Sequence, residues 1–247
     1  MRKVDISVVM SVYNNEKFLA RAITSILNQS FRKYEFIIND DASRDQSFKI
    51  LEKYQLLDKR IKVFKNKKNK GLAYSLNKLA KKAKGKYIAR MDADDFSSKN
   101  RLKLQLNFLK KNPKIDLLGT LAKSSDGKIL TMPNSYKEII DQIIKKNIFI
   151  HSTIMAKKNF FIKNKYNINY RKCQDYDLWI RTYRNHYFHN LDKILLRYNR
   201  NKLDINTVIL TFKIMFLNSF KEKNRKIKSF YFCFFVFFKN IILLIFK

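Results

Sequence analysis

The sequence predicts an α/β protein with a doubly wound, mostly parallel β-sheet, followed by a C-terminal helical tail that associates with a membrane. Two observations predict the sheet. Short apolar runs alternate with helical patterns along the first half of the chain, and only four Gly and two Pro occur in 247 residues, few for an all-β protein rich in tight turns. A hydrophobic content of 46% excludes a disordered chain.

The predicted elements begin with a β-α-β unit. Residues 6–12 alternate with the period of a strand, residues 17–30 carry apolar side chains at helical spacing, and residues 34–38 form a second buried strand. Pro113 ends a later helix because proline disfavours helical geometry in the residue before it. The other elements predicted up to that point are strands at 61–65 and 86–91, and helices from Ser43 or Asp45 to Leu57, behind Gly71, and from about Leu102 to Asn112.

The pattern is weaker after residue 112. We expect a strand at 117–121, a turn at 124–127, a helix at 136–146, a short apolar run at 151–155 and a helix at 175–186. Residues 1–200 are therefore predicted to form one domain with two halves, 1–112 and 113–200. Residues 201–247 have a different composition and are predicted to be a separate tail.

The tail combines three kinds of sequence: residues 203–220 are amphipathic, 221–228 are basic, and 229–247 are almost entirely aromatic and aliphatic. The last run is barely long enough to span a bilayer, and Lys239 interrupts it at a cost of about 2.5 to 3.5 kcal/mol on insertion scales. We therefore predict that the tail lies in the interface of an anionic membrane, with its lysines toward the headgroups.

The net charge of +33 invites a nucleic-acid partner, but the cations are spread along the chain without a recognisable reading motif. We expect the protein to bind an anionic membrane surface and no nucleic acid. Cys173 and Cys233 lack metal-ligand spacing, and the N-terminal apolar run is interrupted by Asp5 and too short for a signal peptide. The predicted location is cytoplasmic, peripheral on the inner face of the cytoplasmic membrane, with the oligomeric state left open.

Two acidic clusters, Asn39-Asp40-Asp41 and Asp92-Ala93-Asp94-Asp95, each follow a predicted strand. In open α/β sheets, ligands bind beyond the carboxyl ends of the strands, where Ser11 also falls. Grouped carboxylates stay ionised only beside positive charge, and Mg²⁺ or Mn²⁺ prefers such oxygen ligands. These clusters predict a metal that carries a phosphate, although either one alone could be a helix N-cap or an Asx-turn.

At these loops the sequence resembles the family 2 glycosyltransferases, which bind nucleotide sugars with a GT-A fold. The resemblance extends from about Asp5 to Asn199 and is dense up to Leu109. The matching segments are Ser7-Val8-Val9-Met10-Ser11-Val12-Tyr13-Asn14, Ser25-Ile26-Leu27-Asn28-Gln29-Ser30, Asn39-Asp40-Asp41-Ala42-Ser43, Asp92-Ala93-Asp94-Asp95 with Arg101, Leu102 and Gln105, and Asp175-Tyr176-Asp177-Leu178-Trp179.

The resemblance implies a role for each matching residue. Asp41, beside Asp40, would accept a hydrogen bond from uracil, and Ser11 would contact the nucleoside. Asp92 would face ribose and metal, and Asp94 would be a direct metal ligand. The list of implied site residues is Ser11, Asp40, Asp41, Asp92 and His151 for the nucleotide sugar, Asp92 and Asp94 for Mn²⁺ or Mg²⁺, and Asp175 as the general base. For His151, a satisfied core residue is the alternative.

The implied activity is an inverting, non-processive transfer of one sugar from a nucleotide-diphosphate sugar, expected to be a UDP-sugar, to a hydroxyl of a lipid-linked or surface-polysaccharide precursor. Residues 1–112 would bind the donor and residues 113–200 the acceptor. The Gln-X-X-Arg-Trp motif of processive synthases is absent, since the only Trp follows Leu178. The alternatives are a nucleotidyltransferase acting on sugar phosphates, whose Gly-rich loop is missing, and a basic nucleic-acid or lipid-binding module.

Three positions depart from the family pattern. Gln174 stands where Glu commonly precedes the base, and a neutral side chain there changes the acceptor contacts or the surroundings of the base. Ser152 replaces a frequent Pro after His151. Ala42 replaces the usual Gly, and its Cβ disfavours a left-handed turn.

Overall fold

The computed structural model describes residues 4–199 and 204–219. Its strands are β1 (Ile6–Val12), β2 (Tyr34–Asp40), β3 (Ile61–Lys65), β4 (Tyr87–Asp92), β5 (Phe96–Ser97), β6 (Ile115–Ser124), β7 (Ile129–Leu130), β8 (Met155–Lys157) and β9 (Tyr187–Tyr198). Its α-helices are α1 (Glu16–Leu27), α2 (Ser47–Leu57), α3 (Leu72–Lys82), α4 (Arg101–Lys111), α5 (Tyr136–Ile143), α6 (Lys158–Lys163), α7 (Gln174–Thr182) and α8 (Ile205–Ser219), and His151–Thr153 form a short 3₁₀ helix.

The strands form one sheet in the order β3-β2-β1-β4-β8-β6-β9-β5, with β7 paired to β6. β3, β2, β1 and β4 are parallel, and so are β6 and β9. β8 is antiparallel to both β4 and β6, and β5 is antiparallel to β9. The prediction of a mostly parallel sheet is therefore correct for the first four strands and wrong beyond them, where the sheet is mixed. Strands of two or three residues are too short to show a period in the sequence.

Helices cover both faces of the sheet, as the doubly wound prediction expected. Successive side chains of a strand point to opposite faces. On β1, Val8 and Met10 therefore join one hydrophobic cluster, which includes residues of α1 and α4, while Val9 joins another, which includes residues of α3 and α7.

The helix α8 lies within the segment predicted to be amphipathic, and it is packed on the second cluster. Ile214 and Met215 are buried there with side chains of α7. The Lys172 Nζ lies 2.7 Å from the Asp204 Oδ2, just before α8. No described helix is both long and apolar enough to cross a membrane. The basic and aromatic stretches of the predicted tail, residues 221–247, lie outside the described residues.

Candidate active site

A crevice of about 410 Å³ lies at the carboxyl ends of β1, β2 and β4, where the sequence predicted a ligand site. The strand register creates it, because Ser11 on β1 is paired with Asn39 on β2 and with Asp92 on β4. The two acidic clusters are thus brought to the same edge of the sheet. The lining consists of Ser11, Tyr13, Asn15, Asp41, Asn69, Gly71, Leu72, Asp92, Ala93, Asp94, Arg171, Tyr198 and Asn199.

Three carboxylates form the acidic centre of this site. Ligand oxygens of Asp92, Asp94 and Asp95 lie within 4.8 Å of one another. Burial and the charge of Asp92 raise the pKa of Asp94, and the same two causes raise the pKa of Asp95 to about 7. A divalent cation would relieve this repulsion, and carboxylate oxygens are the ligands that Mn²⁺ and Mg²⁺ prefer. The residues therefore fit a metal at the predicted positions Asp92 and Asp94.

Asp95 is a third carboxylate of the acidic centre, beside the predicted metal ligands Asp92 and Asp94. It is buried, and its Oδ1 accepts a hydrogen bond of 2.7 Å from the backbone N–H of Asn199. The Ser152 Oγ is also buried and has no hydrogen-bond partner among the described residues, so the structure does not explain the departure from the family pattern at this position.

Arg90 is a buried cation paired with the acidic centre, and the sequence analysis did not predict it. Its side chain is 2% exposed and its guanidinium forms an ion pair with Asp92. A buried charge needs such a partner, so the pair fixes Asp92 at the end of β4. Burial lowers the pKa of His151, and the Arg90 charge lowers it further. Burial raises the pKa of Asp175, and the Arg90 charge opposes that rise. The only sign of this role in the sequence was one cation, Arg90, inside the apolar run that forms β4.

Three N–H donors hold Asp41, which lies just after β2 and lines the crevice. Its Oδ1 accepts from Asn66 Nδ2 at 2.7 Å and from the Lys70 N–H at 2.9 Å. Its Oδ2 accepts from the Gly71 N–H at 2.7 Å. A carboxylate has about four acceptor positions, so these donors orient Asp41 and leave acceptor capacity at the crevice.

The turn after β2 differs from expectation at two residues. Asp40 does not line the crevice, because it is fully buried and its Oδ2 accepts a 3.2 Å bond from the Ser43 N–H. This is the turn-stabilising role that the sequence left open. Ala42 has φ of 63°, so the left-handed turn forms although alanine disfavours it, at a cost of roughly 1 to 2 kcal/mol.

Asp175 lies in the first turn of α7 and is not among the residues that line the crevice. Its Oδ2 accepts a 2.8 Å bond from Asn147 Nδ2. Burial raises the pKa of Asp175 above its usual value, and the Asn147 bond and the Arg90 charge oppose that rise. Tyr198, which lines the crevice, has a pKa raised to about 12 by burial and then by the charges of Asp92, Asp95, Asp175 and Asp94. The acidic centre and Asp175 therefore lie within electrostatic range of one tyrosine.

His151 is not among the crevice residues. Its Nε2 lies 2.9 Å from the Tyr166 hydroxyl, and its ring meets Trp179 edge-on at 6.1 Å. Burial and the Arg90 charge lower the pKa of His151 well below its usual value, so the imidazole is neutral at pH 7. The structure places this residue in an aromatic cluster with the fully buried Trp179.

Comparison with known proteins identifies the family of this chain. The profile described as Glycosyl transferase family 2 matches residues 7–171. The uncharacterized glycosyltransferase MJ1057 of Methanocaldococcus jannaschii is 39% identical over 80% of this chain and 71% of its own length. The O-antigen biosynthesis glycosyltransferase WbnJ of Escherichia coli is 33% identical over 96% of both chains.

Solved structures share the fold. S. aureus TarS in complex with UDP-GlcNAc superposes with a TM-score of 0.72 and 19% identity, over 92% of this chain and 69% of TarS. The mannosyltransferase PcManGT from Pyrobaculum calidifontis, in complex with GDP-Man and Mn²⁺, gives a TM-score of 0.67 at 13% identity, over 87% of this chain and 63% of PcManGT. The predicted GT-A-like fold is confirmed, and the chain belongs to glycosyl transferase family 2.

Proposed function

We propose that the protein is an inverting, non-processive, metal-dependent glycosyltransferase. It moves one sugar from a nucleotide-diphosphate sugar, with UDP as the expected nucleotide, to a hydroxyl of a lipid-linked or surface-polysaccharide precursor. The observation that carries this proposal is the convergence of Ser11, Asp41, Asp92 and Asp94 on one crevice. The family match also favours glycosyl transfer over the nucleotidyltransferase and the non-catalytic binding module.

The nucleoside is assigned to the end of the crevice near Asp41. An ionised carboxylate only accepts hydrogen bonds, so it recognises a base through a ring N–H. Uracil offers one such N–H, and guanine offers donors as well. The complexes of TarS with UDP-GlcNAc and of PcManGT with GDP-Man support a nucleotide-sugar donor without choosing between the bases.

The diphosphate is assigned to the end near Asp92 and Asp94, which would hold Mn²⁺ or Mg²⁺. When bound, the metal supplies Lewis-acid neutralisation of the charge that develops on the departing diphosphate. The ion pair with Arg90 fixes Asp92, and the bond from the Asn199 N–H fixes Asp95. Two of the three carboxylates are thereby held in place before any ligand enters, which lowers the cost of assembling the site.

Asp175 is proposed as the general base. Its carboxylate takes the proton of the acceptor hydroxyl while the oxygen attacks the anomeric carbon on the face opposite the leaving diphosphate, and this geometry inverts the anomeric centre. A carboxylate whose pKa is raised by burial is a stronger base than one in water. Asn147 orients it through the 2.8 Å bond.

The acceptor and the location complete the proposal. Similarity to WbnJ, named for O-antigen biosynthesis, supports a glycan acceptor bound by residues 113–200.

We propose that residues 201–247 associate with the anionic inner face of the cytoplasmic membrane. In α8, Ile205, Ile209 and Leu217 are 46%, 48% and 47% exposed, which is compatible with an apolar surface against lipid.

A panel of nucleotide sugars tests the proposal. Each UDP- and GDP-sugar is incubated with the protein and Mn²⁺, Mg²⁺ or EDTA, and release of the nucleoside diphosphate is measured. We expect slow hydrolysis of one donor with metal and none with EDTA. Equal turnover in EDTA would exclude the metal role, and absence of nucleotide binding under every condition would exclude the function.

A further inference from the structure

Arg171 is the one cationic side chain that lines the crevice in the part of the chain that the structure describes. It is exposed and lies between α6 and α7, in the half assigned to the acceptor. Its Nη1 donates a 3.1 Å bond to the Oδ1 of Asn69, which lies between β3 and α3 in the other half. The two halves therefore meet at this bond, on the crevice.

Gly71 allows the guanidinium to approach the backbone closely. A Cβ atom at Gly71 would lie 2.6 Å from the Arg171 Nη1, which is closer than real atoms come. The same glycine donates its N–H to Asp41 at 2.7 Å. The Arg171 guanidinium therefore lies beside the Gly71 backbone, which also orients Asp41.

The charges of the crevice call for a cation at this place. Asp41, Asp92 and Asp94 line it, and Arg90 is already committed to Asp92. A nucleoside diphosphate adds several negative charges, so one divalent metal leaves an excess of negative charge. Guanidinium groups match phosphate oxygens with paired N–H donors, and the described contacts of Arg171 use one of its several donors.

We propose that Arg171, held by Asn69, binds the diphosphate of the donor and neutralises it as it leaves. This inference rests on the proposed function of the crevice as a nucleotide-sugar site. It assigns a donor-binding role to a residue of the acceptor half, so that binding of the diphosphate draws the two halves together. The next two residues hold this segment: Lys172 pairs with Asp204, just before α8, and Cys173 contacts Thr211 within α8.

Calorimetric titration of UDP with Mn²⁺, and NMR titration of uridine, test the inference on the full chain. Arg171→Ala should weaken UDP about 10- to 100-fold, as expected for loss of a charge-assisted hydrogen bond, and leave uridine unchanged. Arg171→Lys should fall in between, because it keeps the charge without the planar fork. Arg32→Ala, at an exposed arginine outside the crevice, is the matched control.

Three outcomes are decisive. Wild-type affinity of Arg171→Ala for UDP overturns the inference, and so does an equal loss of UDP and uridine, which indicates a damaged fold. GDP and guanosine are titrated in parallel, so that the choice of base does not decide the result. If the wild-type protein binds neither diphosphate, the proposed function of the crevice itself fails.

Discussion

Asn147 Nδ2 donates a 2.8 Å hydrogen bond to Asp175 Oδ2, which ties the segment before the 3₁₀ helix to the first turn of α7. This bond stabilises the ionised form of a carboxylate whose pKa burial raises. A neighbour that is distant in sequence therefore favours the deprotonated form of the proposed base.

Replacing Asn147 should move the pH profile in a defined direction. Without the donor, the pKa of Asp175 rises further, and because the base acts when deprotonated, the acid limb of kcat shifts to higher pH. We expect Asn147→Ala to lose activity at acidic pH and to approach wild type on the alkaline side. Asn112→Ala, whose amide contacts its own helix, should leave the profile unchanged. A uniform loss at every pH would contradict this explanation.

Removing the base should reduce turnover without reducing donor binding. Asp175→Asn keeps the size of the side chain but not its basicity, so we expect kcat to fall about 10²- to 10⁴-fold with unchanged UDP affinity. Asp177→Asn is the comparison, since Asp177 is paired with Arg181 at 2.8 Å and should affect thermal stability instead. Steady-state kinetics with near-normal kcat for Asp175→Asn would require another base.

Donor and metal should stabilise the fold together. UDP with Mn²⁺ at about 100 times Kd contributes roughly 2.7 kcal/mol, or a rise in Tm of about 5 to 10 °C. EDTA and Asp94→Asn should each abolish the shift in a thermal melt. The exposed Asp141→Asn should retain it. A full shift in EDTA would show that the acidic centre is not a metal site.

Ala42→Gly should stabilise the protein. The left-handed φ of 63° costs alanine roughly 1 to 2 kcal/mol, while the greater freedom of glycine in the unfolded chain offsets about 0.4 to 1 kcal/mol. We expect a net gain of up to about 1.5 kcal/mol in urea unfolding. Ala20→Gly, in the exposed face of α1, should lose about 1 kcal/mol. Equal losses for both variants would mean that the turn at position 42 is not strained.

The membrane proposal is tested by sedimentation with anionic liposomes. Deleting residues 229–247 should release the protein while UDP and Mn²⁺ still bind, because all residues lining the crevice precede residue 200. A second variant replaces Lys221, Lys223, Arg225, Lys226 and Lys228 with Gln, and each lost cation should weaken binding by about 1 kcal/mol. Continued sedimentation of both variants would show that the tail is not the membrane contact.

The sequence was most informative where strands and helices have a clean period. From β1 to α4 the predicted and observed elements agree closely, and the loops after β1, β2 and β4 meet as expected. β9 was missed because its pairing with β6 shifts register near Thr120 and Leu121, so its side chains do not alternate regularly. The helix predicted at 175–186 ends at Thr182, where the approach to this strand begins.

The site residues were predictable only where the surrounding sequence has a clear period. Ser11, Asp41, Asp92 and Asp94 follow strong strands and were predictable. Arg171 and Asn147 lie in segments without periodicity, and only tertiary structure brings them to the site. For His151, the sequence could not reveal that the Tyr166 hydroxyl contacts its Nε2.

The attachment of α8 determines how the chain can be shortened. The Lys172–Asp204 ion pair and the contact of Cys173 Sγ with Thr211 Oγ1, at 3.3 Å, both cross residue 200. A fragment that stops at residue 200 would contain the whole crevice lining, yet it would uncover the apolar side chains that Ile214 and Met215 cover. The segment that carries Arg171 and leads to Asp175 would also lose its tether. A fragment for crystallisation or enzymology should therefore include α8.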